Sequence, residues 1–215
     1  MLKRRIIGSL FIVPVLVFGF LADRLWFSVM LVALTVIGIW EIVSVTKNKY
    51  YDWELARILC FVYAPAMYVS FSLLLVARHL RWIDGGWWLV LAMAGTAAYD
   101  TTAYFVGKSV GRHKITPKIS PNKTWEGTIG GFAGPVLAAI LIGQNFLFME
   151  YWRSLLLGIV IGTLAFLGDL IVSWYKRKIG VKDMGRLLPG HGGLLDRIDS
   201  HMLVFYGLFF LRIVS

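Results

Sequence analysis

"LLLGIVIGTLAFLGDLIVSWYKRK", from Leu155 to Lys178, decides the fold. Its opening part, Leu155 to Gly168, carries no charge. Asp169 interrupts it, the run resumes to Val172, and Lys176, Arg177 and Lys178 close it. From Ser154 to Val172 the stretch approaches the roughly 20 apolar residues that carry a helix across a hydrocarbon core of about 30 Å. An aspartate at that depth is costly, so it is expected to face the protein interior and to serve a function.

The rest of the chain agrees. It is 58% hydrophobic and 16% charged, with a mean hydropathy of +0.72, whereas a soluble domain has about 25% charged residues. Apolar segments run from about Ile6 to Leu21, Leu25 to Val45, Leu55 to Ala77, Trp87 to Val106, Thr128 to Phe148, Ser154 to Val172 and His201 to Ile213. The expected architecture is all-α, a polytopic integral membrane bundle of about seven helices. No polar region is long enough to bury its own core. Residues 1–215 are therefore read as one membrane-embedded domain, with N-terminal helices over 1–80 and the motif-bearing region over 87–215. The opening "MLKRRIIGSLFIVPVLVFGFLAD" resembles a signal peptide, but it lacks a small-x-small cleavage site and is read as a retained first helix. Cys60, the single cysteine, allows neither an intrachain disulfide nor a cysteine-rich zinc site.

A net charge of +10 on a soluble chain would point to nucleic acid. Here the basic residues flank apolar runs and read as topology and headgroup contacts, with no nucleic-acid partner. With the N-terminus in the cytoplasm, that side holds Lys3, Arg4, Arg5, Lys47, Lys49, Arg57, Lys108, Arg112, Lys114, Lys118, Lys123, Lys176, Arg177, Lys178, Lys182, Arg186 and Arg197. These are 17 of the 22 basic residues. The positive-inside rule favours this orientation in a cytoplasmic (inner) membrane. It puts the polar connections 107–127 and 174–200 on the cytoplasmic face. Asp100 and Asp169 both fall toward the cytoplasmic ends of their helices, so the active site is expected there.

In "GDLIVSWYKRK", a helix brings Asp169, Ser173 and Lys176 onto one face at i, i+4 and i+7. In "LLPGHGGLLDRIDS", Leu187 to Ser200, Pro189 and the glycines break any helix and open backbone N–H groups to a ligand, with anions favoured. Asp196 offers a second carboxylate to partner Asp169. Two carboxylates with substrate phosphates are a common way to hold Mg²⁺. Arg197, Lys176 and Lys182 suit the neutralisation of phosphate oxygens, as phosphoryl or nucleotidyl transfer requires. In "SPNKTWEG", Ser120 to Gly127, Lys123 and Thr124 read either as phosphate contacts or, for Thr124, as a helix cap. The P-loop pattern is absent.

Taken together, "SWYKRKIGVKDMGRLLPGHGGLLDRID" (Ser173 to Asp199), "DTTAYFVGK" from Asp100 and "SPNKTWEG" resemble the phosphatidate cytidylyltransferase family, also called CDP-diacylglycerol synthases. Tyr175 stands where that family has an aliphatic residue or Phe, and Thr102 where Gly is common; both departures are mild. The resemblance implies transfer of the cytidylyl group of CTP to phosphatidate, giving CDP-diacylglycerol and pyrophosphate for phospholipid biosynthesis. It implies Asp169 and Asp196 as Mg²⁺ ligands, with a monovalent cation such as K⁺ nearby, and Ser173 and Lys176 as phosphate or metal-shell groups. Lys123, Arg197 and the His191-Gly192-Gly193 turn are expected on the triphosphate or the lipid phosphate, His191 in a positioning role. Asp100, Ser120, Thr124, Arg177, Lys182, Asp183 and Asp199 complete the expected substrate-binding set, with Asp183 and Asp199 read equally as structural, pairing with Lys or Arg or capping a helix. The expected partners are CTP, phosphatidate and membrane phospholipid, and a homodimer is compatible with the resemblance. The rival readings are a CTP-dependent polyprenol or phytol kinase, an ether-lipid cytidylyltransferase and, more distantly, an ion-coupled transporter.

Overall fold

The computed structural model describes residues 24–49, 85–178, 180–185 and 193–214. The expected segments Ile6 to Leu21 and Leu55 to Ala77 lie outside the described residues, as do His191 and Gly192. The described chain is mostly helical. In order it forms α1 (Arg24–Lys49), α2 (Gly85–Val110), β1 (Lys114–Thr116), β2 (Ser120–Thr124), α3 (Trp125–Gly131), α4 (Ala133–Phe146), α5 (Tyr151–Lys178) and α6 (Leu195–Val214). Its contacts divide it into two compact units. One comprises 24–49, 176–178, 180–185 and 193–198; the other comprises 85–175 and 199–214.

The larger unit is built on small residues. α5 buries Ser154, Leu157, Gly158, Ile161, Gly162, Ala165 and Gly168, a stripe at helical spacing. Two of its glycines sit where another helix passes at backbone distance. A Cβ on Gly158 would stand 2.5 Å from the Cα of Val136, and one on Gly168 would stand 2.9 Å from the carbonyl oxygen of Asp199. Close approach through small residues is the usual packing of helices in lipid, where apolar burial alone gives little drive to associate. Around this stripe Leu91, Ala92, Tyr99, Ala139, Val204 and Leu208 complete a contiguous core.

The opposite faces stay apolar. Leu156, Ile159, Leu167, Ile171 and Trp174 are exposed on α5, and Leu137 and Leu141 on α4. Apolar surface of that extent does not face water. Among the described residues, the helical runs Trp125–Phe146 and Tyr151–Lys178 are long and apolar enough to cross a membrane. The chain is a membrane protein.

The run expected as one segment from Thr128 to Phe148 is interrupted at Phe132, between α3 and α4. Pro135 explains the break. It has no N–H to give to the carbonyl of Gly131, four residues back. That carbonyl instead accepts the hydroxyl of Thr102 at 2.8 Å, which ties α2 to the end of α3.

The polar connection after α2 departs from a purely helical reading. β1 and β2 pair antiparallel, Lys114 opposite Thr124 and Thr116 opposite Ser120. Glu126 in the first turn of α3 secures this hairpin. Its Oε2 accepts from the N–H of Arg112 at 3.1 Å, and its Oε1 lies 2.6 Å from His113 Nδ1. Trp125 N–H donates to the carbonyl of His113 at 2.9 Å.

Candidate active site

In the larger unit a cation, a carboxylate and a hydroxyl converge from β2 and α5. Lys123 Nζ lies 2.6 Å from Asp169 Oδ2, with the side chains 18% and 30% exposed. Ser173 Oγ donates to Asp169 Oδ1 at 3.1 Å, as their spacing of four on one helix requires. Lys123 also sits over the Phe166 ring, 5.0 Å from its centre, a favourable cation–π placement. Gly168 lets α5 approach the Asp199–Ser200 backbone of α6 one residue before Asp169. Ser200 Oγ donates to Asp100 Oδ2 at 3.2 Å, which draws the carboxylate of α2 to the same turn of α6. Asp199 Oδ1 accepts the N–H of Ser200 at 2.8 Å.

β2 is positioned from below. Thr124 is buried and caps α3, its hydroxyl accepting from the N–H of Gly127 at 3.2 Å. Ser120 lies at the other end of β2, partly buried opposite Thr116. Lys123 therefore stands immediately before a capped helix start, which limits the freedom of its backbone.

In the smaller unit α5 ends in a glycine-closed turn. Gly180 has φ +68°, Val181 N–H donates to the carbonyl of Lys176 at 2.9 Å, and Gly180 N–H donates to that of Arg177 at 3.1 Å. This is a Schellman ending, and the positive φ is the reason for the glycine. Arg177 Nη1 donates to the carbonyl of Val181 at 3.3 Å across the same turn. Lys182 and Asp183 follow on the surface.

Beyond them a second carboxylate is tightly held. Asp196 Oδ1 lies 3.0 Å from Lys176 Nζ, the side chains 5% and 12% exposed respectively. Asp196 Oδ2 accepts from Met184 N–H at 2.8 Å and from Gly193 N–H at 2.9 Å. The backbone of Gly193, expected to face phosphate, thus serves a carboxylate of the protein. Arg197 lies in the first turn of α6.

The structure therefore brings Asp169, Ser173 and Lys123 together, and separately Lys176, Asp196 and Gly193. The reading of "GDLIVSWYKRK" placed Lys176 on the face of Asp169; its ammonium pairs with Asp196. One residue of this region escaped the sequence reading. Glu41 of α1 is only 1% exposed. Its Oε1 accepts from Leu194 N–H at 2.9 Å and its Oε2 from Leu195 N–H at 3.0 Å. The signal was present, because Glu41 is an acidic residue inside the apolar segment Leu25 to Val45.

Each of the two units thus holds one carboxylate paired with a lysine, Asp169 with Lys123 in the larger and Asp196 with Lys176 in the smaller. A family model described as the Cytidylyltransferase family matches residues 54–214, and the chain belongs to that family. Among individual relatives, "Phosphatidate cytidylyltransferase" of Brucella abortus biovar 1 (strain 9-941) is 44% identical over 112 residues, covering 52% of this chain and 42% of that protein. The protein of the same name from Staphylococcus haemolyticus (strain JCSC1435) is 37% identical over 163 residues, 74% of this chain and 59% of its own length. "Uncharacterized protein YnbB" of Escherichia coli (strain K12) is 50% identical over 119 residues, 55% of this chain and 40% of its own. The chain thus spans from about two fifths to three fifths of the length of these relatives.

Proposed function

We propose that this chain transfers the cytidylyl group of CTP to phosphatidate, releasing pyrophosphate and forming CDP-diacylglycerol. The observation that carries the reading is the pair of carboxylate–lysine contacts, Asp169 with Lys123 and Asp196 with Lys176, within the stretch that matches the family. Two relatives bear the name of this reaction. In the proposed step an oxygen of the lipid phosphate attacks the α-phosphorus of CTP. The bond from that phosphorus to the β-bridging oxygen breaks, and pyrophosphate leaves with the electron pair. A phosphate monoester is largely ionised near neutral pH and needs little help from a base.

Asp169 and Asp196 are proposed as the ligands of Mg²⁺. Oxygen donors of this kind suit a hard cation. Each carboxylate oxygen has two acceptor positions. Among the contacts of the described residues, Asp169 uses one on each oxygen, and Asp196 uses two on Oδ2 and one on Oδ1. Both therefore keep room for a ligand bond. Among the described residues no group of three or more His, Cys, Asp or Glu side chains forms a closed cage. Mg²⁺ does not need one, since it commonly combines one or two carboxylates with substrate phosphates and water. When bound, the ion would neutralise charge on the transferred phosphoryl and the leaving group. Lys123 and Lys176, held beside these carboxylates, are proposed to bind phosphate oxygens once substrate arrives.

CTP labelled with ³²P separates the enzymatic readings. Label from the α-phosphate is expected to enter the lipid fraction in a phosphatidate-dependent way, and label from the γ-phosphate to leave as pyrophosphate. Entry of γ-label alone would instead make the chain a lipid kinase and end this proposal. Label that never enters lipid while ions cross the membrane would favour a transporter.

The site is further proposed to face the cytoplasm from the inner membrane, as the distribution of basic residues favours. A cysteine placed at the exposed Asn122 of the hairpin, in a Cys60→Ser background, is expected to react with an impermeant maleimide in inverted vesicles. Labelling in intact spheroplasts would reverse the orientation.

A further inference from the structure

The N-terminus of α6 is an anion site that the protein fills itself. The amide hydrogens of a first helical turn lack partners within the helix and point at any negative group placed before them. Here Leu194 and Leu195 donate to the two oxygens of Glu41, and Gly193 donates to Asp196. The carboxyl of Glu41 comes from α1, more than 150 residues away in sequence, and it is almost completely enclosed. Two glycines make the room. A Cβ on Gly185 would stand 2.5 Å from Glu41 Oε1, and one on Gly193 would stand 2.6 Å from Oε2. A buried carboxyl group is costly unless hydrogen-bonded. Both oxygens of this one accept from backbone, so the backbone in turn is pinned.

From this geometry we infer that Glu41 is a positioning residue for Asp196. The inference rests on the reading of Asp196 as a metal ligand. The segment 193–196 is gripped from two sides. Glu41 holds the amides of 194 and 195, while Met184 and Gly193 hold Oδ2 of Asp196. The side-chain rotation of Asp196 is fixed by the amides of Met184 and Gly193, and Glu41 holds Leu194 and Leu195, the two residues that join Gly193 to Asp196. Oδ1 is then presented in one orientation beside Lys176. Removing such an outer partner of a metal ligand usually lowers metal affinity by about 10- to 100-fold.

The test is Mn²⁺ binding to the full chain in detergent, read as loss of the free-ion EPR signal, with thermal unfolding recorded alongside. Glu41→Gln keeps the shape but turns an amide NH₂ toward one of the two backbone donors. It is expected to raise the Mn²⁺ dissociation constant by about 10-fold or more. Gly185→Ala disturbs the same carboxyl from the other side without altering it, and a shift in the same direction is expected. Should either variant fail to fold, the other still decides. Asp196→Asn serves as the reference. If Asp196→Asn loses binding while Glu41→Gln and Gly185→Ala match the unaltered chain, the positioning role is wrong and the ligand assignment stands. If Asp196→Asn binds Mn²⁺ normally, the ligand assignment fails and takes this inference with it.

Discussion

Asp169→Asn is expected to reduce incorporation of α-labelled cytidylyl into lipid by at least about 100- to 1,000-fold, the scale on which loss of one preorganised electrostatic contact acts. The substitution keeps the shape of the side chain and an acceptor for Ser173, whose hydroxyl now donates to Oδ1. What it removes is the charge that faces Lys123 at 2.6 Å. Because Asp169 is 30% exposed, the stability of the pair is screened, and its loss is expected to cost no more than about 1 kcal/mol. The signature is a folded, monodisperse protein in detergent that has lost turnover. Near-normal turnover at moderate Mg²⁺ would remove Asp169 from the ligand set.

Asp196→Asn is expected to lose activity on the same scale and to lose stability as well. This carboxylate is 5% exposed and satisfies an ammonium and two backbone amides together. An amide side chain has one acceptor oxygen. Turned toward Met184 and Gly193, it presents its NH₂ to Lys176; turned the other way, it presents NH₂ to the two amides. Either way donors meet donors. Breaking a buried pair from one side costs about 3–5 kcal/mol, although the remaining acceptor offsets part of this. Thermal unfolding in detergent measures it. A loss of stability as small as that of Asp169→Asn would mean that Asp196 does not hold the start of α6.

The helices were largely legible from apolar runs. The segments Leu25 to Val45, Trp87 to Val106, Ser154 to Val172 and His201 to Ile213 lie within α1, α2, α5 and α6. The observed helices extend past the apolar limits, because backbone hydrogen bonding continues into the polar interface where hydropathy no longer marks it. α5 runs on to Lys178 and stops where Gly180 turns left-handed. The break at Phe132 was also written locally, in a proline three residues on. The hairpin was harder to read. "SPNKTWEG" has no strand-like alternation, and the contacts of Glu126 with the backbone of Arg112 and His113 join residues that no short-range pattern links. Thr124 had two readings, ligand contact and helix cap, and its hydroxyl is engaged as the cap.

The acidic residues were visible because charge in an apolar run is expensive wherever the run folds. Asp100 and Asp169 stood out for that reason, and Glu41 met the same criterion; Asp196 stood out instead as a second carboxylate in the polar stretch before the last helix. The partners of these residues were not visible. Lys123 with Asp169, Lys176 with Asp196 and Glu41 with the amides of 194 and 195 are set by which elements meet in space. By itself the sequence determined a membrane-embedded helical protein with carboxylates at helix ends, since hydropathy and the cost of buried charge act on each residue alone. Only the tertiary structure decided which cation or amide each carboxylate holds, because a hydrogen bond forms over about 3 Å of space regardless of separation along the chain.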